Sequence, residues 1–422
     1  MPTFPALNVG SGWNQSTGVG EIEFALKHFY LPGMEEQKNN ARVLLANLQR
    51  NEKDVSGDYA FVPIMLGRNW GIGMRRDRQA LPDAGYQRGA RTQVKMKYSF
   101  GQLIVTLHSM AATRNAQGSY ETVLDVETEG LMEDLPKDIN RQLFGNGSGG
   151  LAEVASVAAG VITVDNNDLT NGTPHHASEL TKYIEVGQRI DTFTPAGVAH
   201  DVGLVVTAVT GTTITCAATA ATVVNDLVVL SGNGPLTGVE LSNEITGLQA
   251  AISASNTYQG IDRTAAGNER WKSNVITNGG AAFAVDITED VLQQADTAAQ
   301  KASGMTPNMI IGTYELRDKY ASILQAGRRF VNTIAYKGGF TGPEFAGRGI
   351  IPDTECPRGK TFFLNTDYIS LYQQAGLQFM NEDGAVLSRK SGFPAYEATL
   401  YWFFEMGMRR SNVHTLITHY AQ

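Results

Sequence analysis

Tyr59-Ala60-Phe61-Val62-Pro63-Ile64-Met65-Leu66, answered further along by Val94-Lys95-Met96-Lys97-Tyr98-Ser99-Phe100, is the stretch that decides the fold. The first run is apolar and strand-like. The second alternates, with Val94, Met96, Tyr98 and Phe100 on one face and Lys95, Lys97 and Ser99 on the other. Gly67 to Arg91, between them, is rich in glycine and arginine and too polar for a core. Together they predict a long β-hairpin over residues 57–110. At Gly101 the apolar phase moves to Leu103, Val105 and Leu107, which predicts a β-bulge at the glycine.

The hairpin is basic and its successor acidic. Arg68, Arg75, Arg76, Arg78, Arg88, Arg91, Lys95 and Lys97 face only Asp58, Asp77 and Asp83, a local charge of +5 in a chain of net charge −8. Over 121–138, seven acids against Lys137 give −6. Leu124, Leu131, Leu135, Ile139 and Leu143 make an apolar stripe along a helix of about 119–144, kinked at Pro136 and stopped at Gly145. The plain reading of these charges is two solvated faces. The sharper one is that the hairpin of one copy docks on the acidic helix of its neighbour. Arg75, Arg76, Arg78, Arg88 and Arg91 are then the loop-side contacts, and Glu127, Glu129, Glu133 and Asp134 their landing face.

Before the hairpin, residues 1–18 read as an extended arm and about 20–50 as helical, with Leu44, Leu45 and Leu48 opposite Arg42, Asn47 and Arg50. After the acidic helix, residues 150–235 hold short Val/Thr-rich strands punctuated by Thr210-Gly211 and Gly232-Asn233-Gly234, the pattern of a small barrel or sandwich. Beyond 235 the pattern is α/β. Asp286-Ile287-Thr288-Glu289 resembles a capping box, Met309-Ile310-Ile311 is a buried strand, and Thr313 caps a second helix. Near the end, Tyr396, Ala398, Leu400, Trp402, Phe404, Met406 and Met408 share one face of a long strand.

Composition bounds the function. A chain of 422 residues exceeds what one core organises, so two or three domains are expected. The charged fraction of 18% and hydrophobic fraction of 42% argue for folded rather than disordered chain. No apolar run has the length of a membrane span, and Met1-Pro2-Thr3-Phe4-Pro5 lacks a signal peptide's layout, so an intracellular protein without membrane contact is expected. The negative balance argues against a dedicated nucleic-acid binder.

Catalytic patterns are wanting. Gly145-Asn146-Gly147-Ser148-Gly149-Gly150 matches G-x-G-x-x-G formally, but a helix precedes it where the dinucleotide fingerprint needs a strand. No P-loop, nucleophile elbow or zinc helix occurs. His175-His176 have no partner at ligand spacing, and Cys216 and Cys356 read as inert. No enzyme activity and no cofactor or metal are expected.

The order of elements resembles the tailed-bacteriophage major capsid proteins of the Hong Kong 97-type fold. Gly57 to Val105 is similar to the extended loop, and Glu121 to Phe144 to the spine helix. Met309-Ile310-Ile311-Gly312-Thr313 with Leu316-Arg317-Asp318 is similar to the strand-then-helix of the axial domain. Phe345-Ala346-Gly347-Arg348-Gly349-Ile350-Ile351-Pro352 with Pro357-Arg358-Gly359-Lys360-Thr361-Phe362-Phe363, and Arg409-Arg410-Ser411-Asn412-Val413-His414, resemble two further family patterns.

The resemblance implies an α+β fold: an N-terminal arm and helices (1–56), extended loop (57–110), peripheral spine helix (111–149), inserted β domain (150–235), axial α/β domain (236–394) and return strands (395–422). It implies a structural subunit that assembles with itself into pentamers and hexamers of an icosahedral head, in the host cytoplasm and then in the virion. Scaffolding, portal and decoration proteins are the implied partners, with packaged double-stranded DNA held non-specifically. Lys95 and Lys97 lie at the hairpin base, where the crosslink of some relatives is not expected. The alternatives are an encapsulin-like compartment shell and, from another class, a secreted β-rich adhesin or hydrolase.

Overall fold

The computed structural model describes residues 42–113, 123–165, 181–217, 219–234, 243–278, 285–326, 333–335, 341–381 and 386–420. The arm at 1–18, most of the helical reading over 20–50, and His175-His176 lie outside them.

One core binds most elements. The stem strands Tyr59–Gly67 and Arg88–Lys95 pair antiparallel, from Tyr59 opposite Lys95 to Gly67 opposite Arg88. Their inner face, Ala60, Val62, Ile64, Leu66, Val94 and Met96, is buried in the same cluster as Trp402, Phe404, Trp271 and Phe362. The hairpin stem is therefore part of the main core.

Nor does one hairpin run to residue 110. After Met96 the chain leaves this sheet, and Lys97–Thr106 pairs in unbroken register with Ala395–Met408, from Lys97 opposite Phe404 to Thr106 opposite Ala395. The burial phase changes at that crossing, so Tyr98 and Phe100 are exposed. Gly101 is not a bulge. A Cβ there would sit 2.8 Å from the Leu131 side chain, so the glycine lets the helix Val123–Phe144 lie close on the sheet.

That helix carries the expected stripe: Ile139 and Leu143 are fully buried, while Leu124, Leu131 and Leu135 pack partly buried beside them. Among the described residues of the 20–50 stretch, Val43–Asn47 is helix and Gln49–Asn51 is already strand, parallel to Ile369–Phe379.

Residues 150–230 contain a closed six-stranded barrel, in the order Thr213–Cys216, Val161–Asp165, Gly150–Ala158, Leu227–Leu230, Arg189–Phe193, Leu204–Val209. Val154, Ile162, Ile190, Val206, Ile214 and Val228 fill it. A mixed seven-stranded sheet, Asn274–Thr277, Thr415–Thr418, Thr361–Leu364, Met309–Gly312, Arg348–Pro352, Thr341–Phe345, Thr333–Ala335, makes a second layer. Helices Glu289–Ser303 and Tyr314–Ala326 cover it through Leu292, Ala295, Leu316 and Tyr320. The first of these is capped by Thr288, whose hydroxyl accepts from Val291 N–H, and stops at Gly304 with φ 73°. The N-cap is thus Thr288 rather than Asp286, and Asp286 pairs with Lys319 at 2.8 Å.

Charged and polar groups tie the long helix and the barrel to neighbouring segments. Arg141 bridges Asp138 and Glu244, each at 2.7 Å. Burial alone would lower its pKa, but the two carboxylates more than reverse this. From the barrel side, the Tyr183 hydroxyl donates to Glu355, and Lys182 Nζ lies 3.2 Å from the same carboxylate. Beneath them Asp353 accepts from Asn140 Nδ2 at 3.2 and 3.3 Å, from Leu44 N–H at 3.3 Å and from Glu355 N–H at 2.9 Å.

Burial raises the Asp353 carboxyl from 3.8 to about 6, although the donors oppose the rise. The folded chain then binds the extra proton between those two values, and this group makes the fold less stable as pH rises from about 4 to about 6. Asp353→Asn is expected to remove that slope, worth about 3 kcal/mol. Melting temperature measured against pH checks it, and an unchanged slope contradicts it.

Candidate assembly interface

Two surfaces could join copies of this chain: the hairpin tip and a groove along the acidic helix. The tip, 68–87, has no regular secondary structure. It is held locally: Asn69 Oδ1 accepts from Gly71 N–H at 2.7 Å, Arg75 Nε donates to Ala80 O at 2.9 Å, and Arg76 N–H donates to Gln79 Oε1 at 3.0 Å. Arg78 completes this turn with φ 63°. Between the arginines stand apolar side chains in solvent, Ile72 82% and Met74 98% exposed, with Trp70, Leu81 and Tyr86 also exposed. Large apolar groups exposed beside cations are the composition of contact surfaces in general.

The five loop arginines do not stay together. Arg75, Arg76 and Arg78 are on the tip. Arg88 lies on the stem and reaches its own chain, Nη2 donating to Asn268 Oδ1 at 2.9 Å and to Ala266 O at 3.4 Å. Gly267, with φ 86°, leaves room for it: a Cβ there would overlap the guanidinium at 1.5 Å. Arg91 is also on the stem, its guanidinium 4.2 Å over the Phe61 ring.

The groove, of about 1240 Å³, runs between the long helix, the short helix Val43–Asn47 and the sheet strands Ile369–Phe379 and Ala395–Met408. Its floor is apolar, with Leu377, Phe379, Ala398 and Trp402. The helix wall presents Leu124, Thr128, Met132 and Pro136 together with Asp125, Glu129 and Glu133, which recur every four residues. Glu129 and Glu133 of the expected landing face therefore line the groove. Glu127 and Asp134 do not, since the 3.6-residue period turns them onto a neighbouring stripe.

Reading the sequence missed several of these residues. Asp125 was counted as charge but not as wall. Arg42 and Arg50 line the opposite side, and Arg50 lies 5.1 Å over the Trp402 ring, so the groove is acidic on one wall and basic on the other. On the strands Lys97–Thr106 and Ala395–Met408, Tyr98 and Phe100 meet the Phe403 ring edge to face and Tyr401 lies tilted against it, with centroids 5.0 to 5.7 Å apart. Cross-strand register makes that cluster, and no local motif announces it.

Cys216 and Cys356 are buried, and burial raises both thiols. Among the described residues, no group of three His, Cys, Asp or Glu side chains could hold a metal, and no helix is long and apolar enough to cross a membrane.

No family model matches the sequence, and no curated protein is significantly similar to it. Solved structures are. A chain of the capsid asymmetric unit of cyanophage A-1(L) is 13% identical with a TM-score of 0.60, over 94% of this chain and 98% of that one. The holo-SrpI encapsulin complex of Synechococcus elongatus PCC 7942 is 8% identical with a TM-score of 0.50, over 96% of each chain. Matches of such coverage and such low identity speak to the fold. This chain has the fold of phage capsid proteins, one that an encapsulin also adopts.

Proposed function

We propose that this chain is the major subunit of a phage head, assembling into pentamers and hexamers that close an icosahedral shell around double-stranded DNA. The observation that carries this reading is the pair of unlike surfaces on one chain: a cationic tip with Ile72, Met74 and Leu81 in solvent, and an apolar groove whose helix wall carries Asp125, Glu129 and Glu133, opposite Arg42 and Arg50. A heterologous contact, in which one patch meets a different patch on the next copy, generates rings when the rotation closes. The charges would set register and encounter rate, and the apolar groups the affinity.

In this reading the hairpin is the extended loop, the helix Val123–Phe144 the spine of the peripheral domain, the seven-stranded sheet the axial domain, and the barrel an inserted domain. Arg75, Arg76 and Arg78 contact the neighbour, Arg88 and Arg91 stiffen the stem, and Glu129 and Glu133 receive the tip. A subunit of net charge −8 leaves the duplex held by confinement rather than by phosphate contacts. The role is structural, in the virion, with scaffolding, portal and decoration proteins as partners.

Reversing the tip with Arg75→Glu, Arg76→Glu and Arg78→Glu is expected to cut the yield of assembled particles at least tenfold while the chain still folds. Adding Glu129→Arg and Glu133→Arg is expected to restore part of that yield. Particles of normal yield and salt resistance from the tip variant would overturn the docking. A compartment shell is the second reading, favoured by the encapsulin of the same fold. Protein cargo rather than DNA in particles from the native source would decide for it.

A further inference from the structure

The main sheet ends in an open edge. Lys97–Thr106 pairs with Ala395–Met408 on the side away from Ile369–Phe379. Just past it, Leu107 N–H donates to Pro394 O at 2.9 Å. Bonding alternates along an antiparallel ladder, so in this register Tyr98, Phe100 and Gln102 turn N–H and C=O outward. None of these outward groups meets a backbone partner among the described residues. Natural edges are blunted by prolines, bulges or charges. Over 98–106 there is no proline or charge and the register is unbroken; the strand's one cation is Lys97, at its start. Tyr98 and Phe100 are 46% and 58% exposed.

Two chemistries flank this edge. Tyr98, Phe100 and Gln102 share the sheet face away from the long helix, where Phe403 meets the two rings. On the other face, Leu131 of the helix sits over Gly101. The groove takes Thr128 and Met132 from one side of Leu131. The 3.6-residue period puts Glu127 and Asp134 on the opposite side, above the open edge, in a stretch of net charge −6 over 121–138.

A strand added here would lie about 5 Å beyond Lys97–Thr106, its side chains alternating between the aromatic face and the acidic flank. Apolar residues suit the first, lysine or arginine the second. Exposed parts of this chain do not supply that pattern. Pairing the edge with itself about a two-fold axis sets one acidic helix against its own image. The tip arm alternates Trp70, Ile72 and Met74 with Gly71 and Gly73, which offer no cation, and a Cβ on Gly71 would meet Gly85 N at 2.5 Å.

We propose that this edge docks an extended segment of a different protein, one that alternates lysine or arginine with apolar residues and joins the main sheet as its next strand. The contact is separate from the tip and the groove and does not depend on the shell reading.

The probe is a short fluorescein-labelled peptide alternating lysine with valine, titrated into the full chain and read by anisotropy. Binding is expected, and the same composition in two blocks is expected to bind about tenfold more weakly or worse. Gln102→Pro removes an outward N–H and leaves the ladder to Ala395–Met408 intact; Glu127→Lys with Asp134→Lys reverses the acidic flank. Each is expected to weaken binding about tenfold or more. N-methylating one alternate set of the peptide's residues is expected to abolish binding, and methylating the other set to leave it, a difference that only backbone pairing makes. No binding, equal binding by the block peptide, or binding that survives Gln102→Pro and both methylations overturns the docking edge. Tighter binding by a peptide copying residues 67–76 of this chain overturns the different protein in favour of a second copy.

Discussion

Arg263→Met is expected to lower the unfolding free energy by about 4 kcal/mol or more. The guanidinium is fully buried and donates to five acceptors. Nε reaches Trp271 O at 3.1 Å; Nη1 reaches Asn256 Oδ1 at 2.7 Å and Ala250 O at 3.3 Å; Nη2 reaches Ala251 O at 2.6 Å and Ser411 Oγ at 2.7 Å. None is a carboxylate. Burial pulls the guanidinium pKa down to about 10, which still leaves it charged at neutral pH.

These bonds tie the 250–256 turn, the 3-10 turn at Glu269–Trp271 and the chain before the last strand into one block under the hairpin stem. Methionine fills much of the volume but supplies no donor, so Trp271 O loses its side-chain donor and Ala250 O and Ala251 O are left with Asn256 Nδ2 and Ser273 Oγ alone. Arg263→Lys is expected to recover only part of the loss, because three tetrahedral donors cannot serve a planar fork of five. The urea midpoint reads the effect; a shift below about 1 kcal/mol contradicts it.

Gly247→Ala is the second large effect, at about 3 kcal/mol or more. A Cβ there would lie 2.4 Å from Gln142 O, 2.5 Å from Gly145 O and 2.7 Å from Leu143 O. All three are backbone atoms at the end of the long helix, so no side chain can rotate away to make room. The glycine's own φ of −78° is ordinary, so the cost is steric rather than conformational. Gly101→Ala is the contrast: its close neighbour is a Leu131 methyl, which can move, and about 1 kcal/mol is expected. Equal melting temperatures for the two variants would contradict this account.

What was legible in the sequence was local. The apolar run from Tyr59 to Leu66, the stripe from Leu124 to Leu143, the long strand ending at Met408 and the cap at Thr313 each follow from a run, a period or a hydrogen bond within a few residues. The exit at Met96 was not legible, because alternation says that a residue is inward without saying toward which sheet. Two strands meeting there with opposite phases look like one bulged strand, and Gly101 offered a false reason. Arg263 was silent for a similar reason: its partners, three carbonyls, an amide oxygen and a hydroxyl, come from three separate segments. Of the interface candidates, the tip arginines could be named from charge and glycine content alone. The separation of Glu129 and Glu133 from Glu127 and Asp134 depends on where Trp402 and Phe379 place the groove floor.

The central claim is that this chain's function is assembly. Sedimentation velocity of the purified full-length chain, with negative-stain microscopy of the same fractions, tests it most directly. Megadalton rings or closed shells, lost on reversing Arg75, Arg76 and Arg78, are the predicted result. A stable monomer, alone and with the products of its neighbouring genes, would contradict it and return the groove and the tip to unassigned surfaces.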